Sequence, residues 1–145
     1  MATMNPYLNF NGNTEEAFNF YKSIFGGDFV DGVHRMSEVP PYEGQPPLAD
    51  EDKQLVMHVA LPILGGHVLM GTDAPESMGF TVTHGNDMNI NLEPDTRAET
   101  SRLFSALSAG GKIGMQLQEM FWGDYFGSCT DKYGIRWMFN CSSKV

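Results

Sequence analysis

Basic residues are scarce in this chain: Lys and Arg number 9 against 18 Asp and Glu, and the formal net charge is −9. A polyanion is bound by clustered cations that displace its counterions, so no nucleic acid partner is expected. Long apolar runs are missing as well. None approaches the roughly 20 residues needed to cross a bilayer, and the N-terminus shows no basic segment followed by an apolar one, so the expectation is a cytoplasmic protein with no membrane partner. Cysteine is limited to Cys129 and Cys141. If Asp131-Lys132-Tyr133-Gly134 is the turn of a hairpin, residue 129 falls opposite a position near 136 and Cys141 lies several residues out of register. Reduced, partly buried thiols are therefore expected in place of a bridge. Histidines are few: His34, His58, His67 and His84. A catalytic or metal cluster needs at least two of them to converge, and only His34 and His58 fall on neighbouring predicted strands.

What the chain does contain is the same unit twice. Tyr7-Leu8-Asn9-Phe10 runs into a helix start at Asn13 with Glu16 three residues on, then an amphipathic stretch, then Gly26-Gly27. Asn89-Ile90-Asn91-Leu92 is followed by Thr96 with Glu99 three residues on, then Leu103, Phe104 and Leu107, then Gly110-Gly111. The offset is roughly constant at about 82 to 84 residues. The ends of the halves also match, Gly66-His67-Val68-Leu69-Met70 with Gly134-Ile135-Arg136-Trp137-Met138. This places Asn9 over Asn91, Glu16 over Glu99 and Met70 over Met138.

With 145 residues, 41% of them apolar and 19% charged, the chain makes one domain over 1–145. It divides into two modules, about 1–74 and about 86–145, each reading strand, helix, then three strands. The first helix takes Asn13 as N-cap with Glu16 as reciprocal partner, ends at the glycine pair, and presents Ala17, Phe20, Tyr21, Ile24 and Phe25 as its apolar face. Strands are predicted at about 29–36, 53–62 and 67–72, and, after a helix over about 97–109, at about 112–120, 125–130 and 135–141. The Pro- and acid-rich stretch over 37–47 reads as a long loop that could cover a pocket mouth, and 74–87 as an exposed connection.

The opening Pro6-Tyr7-Leu8-Asn9-Phe10-Asn11-Gly12, the helix end Phe20-Tyr21-Lys22-Ser23-Ile24-Phe25-Gly26-Gly27 and the closing Trp122-Gly123-Asp124-Tyr125-Phe126-Gly127 and Asp131-Lys132-Tyr133-Gly134-Ile135-Arg136-Trp137 resemble the vicinal oxygen chelate superfamily, and within it the PhnB-like branch. The resemblance spans nearly the whole chain. It implies an α+β fold: two βαβββ modules forming a curled, mostly antiparallel sheet around a cleft, helices on the outer face, usually in a homodimer. It does not fix a reaction, because the superfamily holds glyoxalases, extradiol dioxygenases, epimerases and non-catalytic drug-binding proteins. Chains similar to this one have also been labelled demethylubiquinone methyltransferases. That activity needs a glycine-rich turn leading from a strand into a helix, whereas both glycine pairs here follow helices.

Catalytic members of the superfamily chelate a divalent metal with His and Glu from the first and fourth strands of each module. Leu8 and Phe10 face the helix, so Asn5, Tyr7 and Asn9 point into the cleft, with Asp87, Asn89 and Asn91 as counterparts. Leu69 and Trp137 likewise face helices, which leaves Met70 and Met138 at the remaining ligand positions. Of Asn5, Met70, Asp87 and Met138, only Asp87 is a usual ligand for a hard or borderline ion. No metal and no other cofactor is expected. The cleft residues are then Tyr7, Asn9, His58, Met70, Asn89, Asn91, Trp122, Tyr125 and Met138, a mostly apolar lining with neutral hydrogen-bonding groups that suits a small, flat organic molecule. Two readings stay open: a metal-free binding protein, or an enzyme, either a metal-dependent lyase, isomerase or dioxygenase with unconventional ligands or a metal-free catalyst using His58 or Asp87.

Overall fold

The computed structural model describes residues 1–40, 43–44 and 46–145. It divides into two compact units, Met1–Thr83 and His84–Val145. The first holds β1 (Tyr7–Phe10), α1 (Thr14–Phe25), β2 (His34–Arg35), β3 (Val56–Pro62) and β4 (Val68–Asp73). The second repeats the order with β5 (Ile90–Leu92), α2 (Arg97–Ser108), β6 (Lys112–Glu119), β7 (Tyr125–Thr130) and β8 (Arg136–Cys141). Each unit is a four-stranded mixed sheet, ordered β1-β4-β3-β2 in one and β5-β8-β7-β6 in the other. The first strand of each runs parallel to the last, and the other pairings are antiparallel. This is the expected α+β pattern of two βαβββ modules.

The start of α1 is built differently from the expected reciprocal cap. Asn13 holds the N-cap position but makes no side-chain cap hydrogen bond. The work is done from the far end of the module by Asp73. One of its oxygens accepts the Thr14 N–H at 3.0 Å and the Thr14 hydroxyl at 2.6 Å, and the other accepts the Val56 N–H at 2.8 Å. A carboxylate at a helix N-terminus also opposes the positive end of the helix dipole. With Thr14 turned inward, the buried face runs through Thr14, Ala17, Phe18, Tyr21 and Ile24, so Phe18 replaces the expected Phe20 and Phe25, which are half-buried. Phe18 lies over Gly71 of β4, where an added Cβ would come within 2.5 Å of its ring. In α2 the expected cap does form: the Thr96 hydroxyl accepts the Glu99 N–H at 3.1 Å, and Leu103, Phe104 and Leu107 are buried.

The second strand is much shorter than the predicted 29–36. Asp31 at φ 58° and Gly32 at φ 75° turn the backbone away from the extended region, so the regular pairing with β3 is confined to His34 and Arg35, across a register irregularity, while Val30 keeps a single backbone bond to the Ala60 carbonyl at 2.8 Å. Met36–Glu38 then forms a 3-10 turn, as does Asp50–Asp52, which delays the start of β3 to Val56. The loop expected over 37–47 falls in part on Pro41, Tyr42 and Gln45, which lie outside the described residues. Cys129 is opposite Trp137, and Cys141 opposite Tyr125; both thiols are free and buried, in line with the register argument. Among the described residues no helix is long and apolar enough to cross a membrane.

The repeat holds piecewise. The hairpins β3–β4 and β7–β8 match position for position, with Ala60 opposite Met70 as Ser128 is opposite Met138. The first strands match in burial, with Phe10 and Leu92 inward and Asn9 and Asn91 outward. The two pieces dock differently, however: Met70 neighbours Tyr7, whereas Met138 neighbours Asn91. The expected overlays of Asn9 on Asn91 and Met70 on Met138 therefore belong to separate superpositions. An even displacement of this kind keeps every side chain on its own face of the sheet.

Candidate functional site

In the first unit α1 covers one face of the sheet with Phe10, Val59, Leu61 and Leu69 beneath it. Strand alternation puts Tyr7, Asn9, His58, Met70 and Thr72 on the opposite, helix-free face. There the Tyr7 hydroxyl lies 3.2 Å from His58 Nδ1, with ring centroids 5.7 Å apart. His34 is the cross-strand partner of His58, its ring 6.5 Å away. Its Nδ1 lies 3.2 Å from Glu38 Oε1. Glu38 also accepts the Arg35 N–H at 2.7 Å. That backbone hydrogen bond, then the His34 contact, hold its carboxyl below the ordinary range. Arg35 is anchored in turn by a two-pronged ion pair to Glu15 of α1 at 2.8 and 3.0 Å, which lowers the Glu15 carboxyl pKa and raises that of the guanidinium.

This arrangement can exchange a proton. The Tyr7 phenol donates to a neutral His58, or a protonated Nδ1 donates to the phenol oxygen, and either leaves the other imidazole nitrogen for a ligand. Met70, paired across the sheet with Tyr7, adds a polarizable apolar wall beside the aromatic ring. Sequence reasoning paired His34 with His58 but missed Glu38; its signal was the spacing of His34 and Glu38, one helical turn apart.

The second unit gathers fewer of the expected residues. Asn91 and Met138 are neighbours on one face, and Asn91 donates to Glu93 at 3.3 Å. Asn89, just before β5, accepts the Arg136 Nε–H at 3.3 Å. Tyr125 is placed elsewhere: its hydroxyl meets Ser101 of α2 at 3.1 Å and its ring lies under Arg97 at 5.2 Å, so it belongs to the helix-covered face. Trp122 sits in the β6–β7 connection, 51% exposed and packed edge-on against Phe121, itself 97% exposed.

The donors do not fit a divalent metal. The Asn5 side-chain oxygen is already used, accepting the Val68 N–H at 2.9 Å. Met70 and Met138 offer only thioethers, and among the described residues no group of three His, Cys, Asp or Glu converges. His34 and His58 supply two imidazoles, each bonded through Nδ1, to Glu38 and to Tyr7, and two nitrogens with no third His, Cys, Asp or Glu converging on them among the described residues make an incomplete ligand set.

Comparison with known proteins places this geometry in a family. Residues 2–139 match the family model described as 3-demethylubiquinone-9 3-methyltransferase. Protein YjdN of Escherichia coli K12 is 30% identical over 146 aligned residues, covering 94% of this chain and 93% of that protein. Protein PA1353 of Pseudomonas aeruginosa is similar in structure, with a TM-score of 0.82 at 35% identity over 97% of this chain and 98% of that one. A PhnB protein of Bacillus cereus gives 0.71 at 28% identity over 97% and 99%. A glyoxalase/bleomycin resistance protein/dioxygenase family enzyme of Burkholderia phytofirmans, at 19% identity and a TM-score of 0.61 over 94% and 97%, shares the fold. The chain thus belongs to the PhnB-like 3-demethylubiquinone-9 3-methyltransferase family, a homologue of YjdN built on the glyoxalase fold.

Proposed function

We propose that this protein binds a small, flat organic molecule without a metal, on the helix-free sheet face around Tyr7, Asn9, His58 and Met70, and that it works as a homodimer. The observation that carries the reading is the Tyr7–His58 hydrogen bond, an aromatic and hydrogen-bonding pair set on an uncovered sheet face beside a methionine, with donors unsuited to chelation. Asn91 and Met138 set a carboxamide beside a thioether in the second unit. The family's label implies S-adenosylmethionine, and the chain does not fit that group. Neither sheet is wholly parallel, the N-terminus of α1 is occupied by Asp73, and α2 is entered through Glu93-Pro94-Asp95, which carries acid where a bound carboxylate or phosphate needs open N–H groups. Support for the dimer comes from β6, nearly all of it exposed, with Ile113 and Met115 uncovered, and from the exposed Phe121.

Titration with indole, followed through the methionine methyl resonances, tests the site. A saturable shift of Met70 that is lost in Tyr7→Phe and His58→Gln supports it, and a Met70 resonance that never moves sinks it. Calorimetry with Zn²⁺, Ni²⁺, Mn²⁺ and Fe²⁺ tests the metal-free reading, which stoichiometric tight binding of any of them overturns. Light scattering giving a monomer mass at micromolar concentration removes the dimer.

A further inference from the structure

Most cations of this acid-rich chain are matched to a carboxylate: Lys22, Arg35, Lys53, Arg97, Arg102 and Lys144 each lie within ion-pair distance of one. Among the described residues Lys112 and Arg136 have no such partner, although the chain carries 18 acids to 9 bases. The second sheet brings these two together. Lys112 of β6 pairs with Thr130 of β7, and Thr130 with Arg136 of β8, so the three side chains form a row across the helix-free face with the cations about 10 Å apart, two strand spacings.

A shallow, open depression of about 460 Å³ lies over this row, bordered by His84, Gly85 and, at the β7–β8 turn, Gly134. Gly134 admits the His84 ring: a Cβ there would lie 2.7 Å from His84 Nδ1, and its φ of +92° disfavours any side chain. The Arg136 Nε–H is held by Asn89 at 3.3 Å, which orients the guanidinium and leaves its two terminal amino groups for a ligand. Two carboxylates are close by. Asp131 is buried and consumed by the N–H groups of Tyr133 and Ile135 and the Trp137 indole. Asp87 approaches Gly85 but does not line the hollow.

We propose that this hollow binds one small anionic group, the carboxylate or phosphate of an organic acid or phosphomonoester. Lys112 supplies a point charge, Arg136 a planar fork that matches two oxygens at once, and Thr130 a hydroxyl between them. Two cations are too few for a nucleic acid backbone and enough for a single anionic group. An open depression of this kind suits contact with one charged end of a small molecule, the rest of which stays in water. The site is independent of the Tyr7–His58 face, so the failure of either leaves the other standing.

The test is a backbone-amide NMR titration with sodium phosphate and, separately, sodium acetate, with sodium chloride at matched ionic strength as reference. Saturable shifts are expected at Gly85, Thr130 and Gly134, with affinity weakened about tenfold or more in Lys112→Gln and in Arg136→Gln. A response to phosphate alone assigns a phosphoryl ligand, to acetate alone a carboxylate, and to both the anionic group itself. An unchanged Trp137 indole resonance shows that the variants are folded. Shifts that fail to saturate, that chloride reproduces, or that persist with full affinity in both variants overturn the proposal.

Discussion

Removing the Asp73 carboxylate is expected to unfasten the first module at its centre. The residue is 3% exposed and accepts the Thr14 N–H, the Thr14 hydroxyl and the Val56 N–H, so it ties the start of α1 and the start of β3 to the end of β4. Asp73→Ala strands these donors. A buried donor left without a partner costs about 1–3 kcal/mol, and loss of a helix cap about 1 kcal/mol. With water entering the space the carboxylate vacates to meet some of these donors, the expected destabilisation is about 4 kcal/mol. Asp73→Asn keeps an acceptor for Thr14 but turns an amide donor toward the Val56 N–H, with an expected loss of about 2–3 kcal/mol. Thr14→Ala, which removes only the hydroxyl, should cost about 1 kcal/mol. Urea unfolding measures all three, read at constant m-value so that the shift in midpoint reports stability. A loss below about 1 kcal/mol for Asp73→Ala, or a Thr14→Ala variant as damaged as Asp73→Ala, would refute the three-way tie.

Gly71→Ala is expected to cost about 3 kcal/mol or more: the new methyl would meet Phe18 at 2.5 Å, and Phe18 is wedged edge-on against Phe10 and Tyr21. Thermal melting measures it, and a variant within a few degrees of the parent would show that Phe18 has room to move. Burial, with a smaller contribution from the nearby Asp131 carboxylate, pushes the Cys129 thiol up to about 12 from 9.0. The folded thiol stays protonated while the unfolded one ionises, so the stability it contributes is complete below pH 9 and lost as pH rises toward 12, by about 1.4 kcal/mol between pH 8 and 10. Urea titrations at the two pH values should show this loss in the parent and a correspondingly smaller one in Cys129→Ala; equal losses would place the thiol in a wetter setting.

Much of the fold was legible because its cues are local. The glycine pair at 26–27, the Thr96–Glu99 spacing and the alternation of Tyr125–Thr130 each fix a boundary from neighbours in sequence. What escaped depends on distance or backbone sign. The Asp73 cap reaches back 59 residues, and no pattern around Asn13 announces that its own side chain will stand idle. The second strand was lost to a left-handed Asp31, a conformation an aspartate tolerates but does not advertise. On the helix-free face, the positions of Tyr7 and Met70 followed from the outward alternation of β1 and β4, whereas His58 stood out as a polar residue within the apolar run of β3. Tyr125 was misdirected although the information existed: with Trp137 inward, its partner Cys129 is inward, and two steps of two residues put Tyr125 on the same side. Lys112 and Arg136 escaped because 24 positions separate them and only the strand pairing makes them neighbours.

The unequal docking of the first strands shows how a duplicated gene can diverge without repacking. Each copy inherits one solution for its interior, a helix laid over a hairpin, and any odd slide of the leading strand would turn Phe10 or Leu92 out to water. A slide of two is silent indoors. Outdoors it exchanges the neighbour of the hairpin methionine, a phenol beside Met70 and a carboxamide beside Met138. One ancestral scaffold thus comes to carry two chemically distinct surfaces, and selection can act on the recognition properties of each while the apolar interior stays under a single, shared constraint.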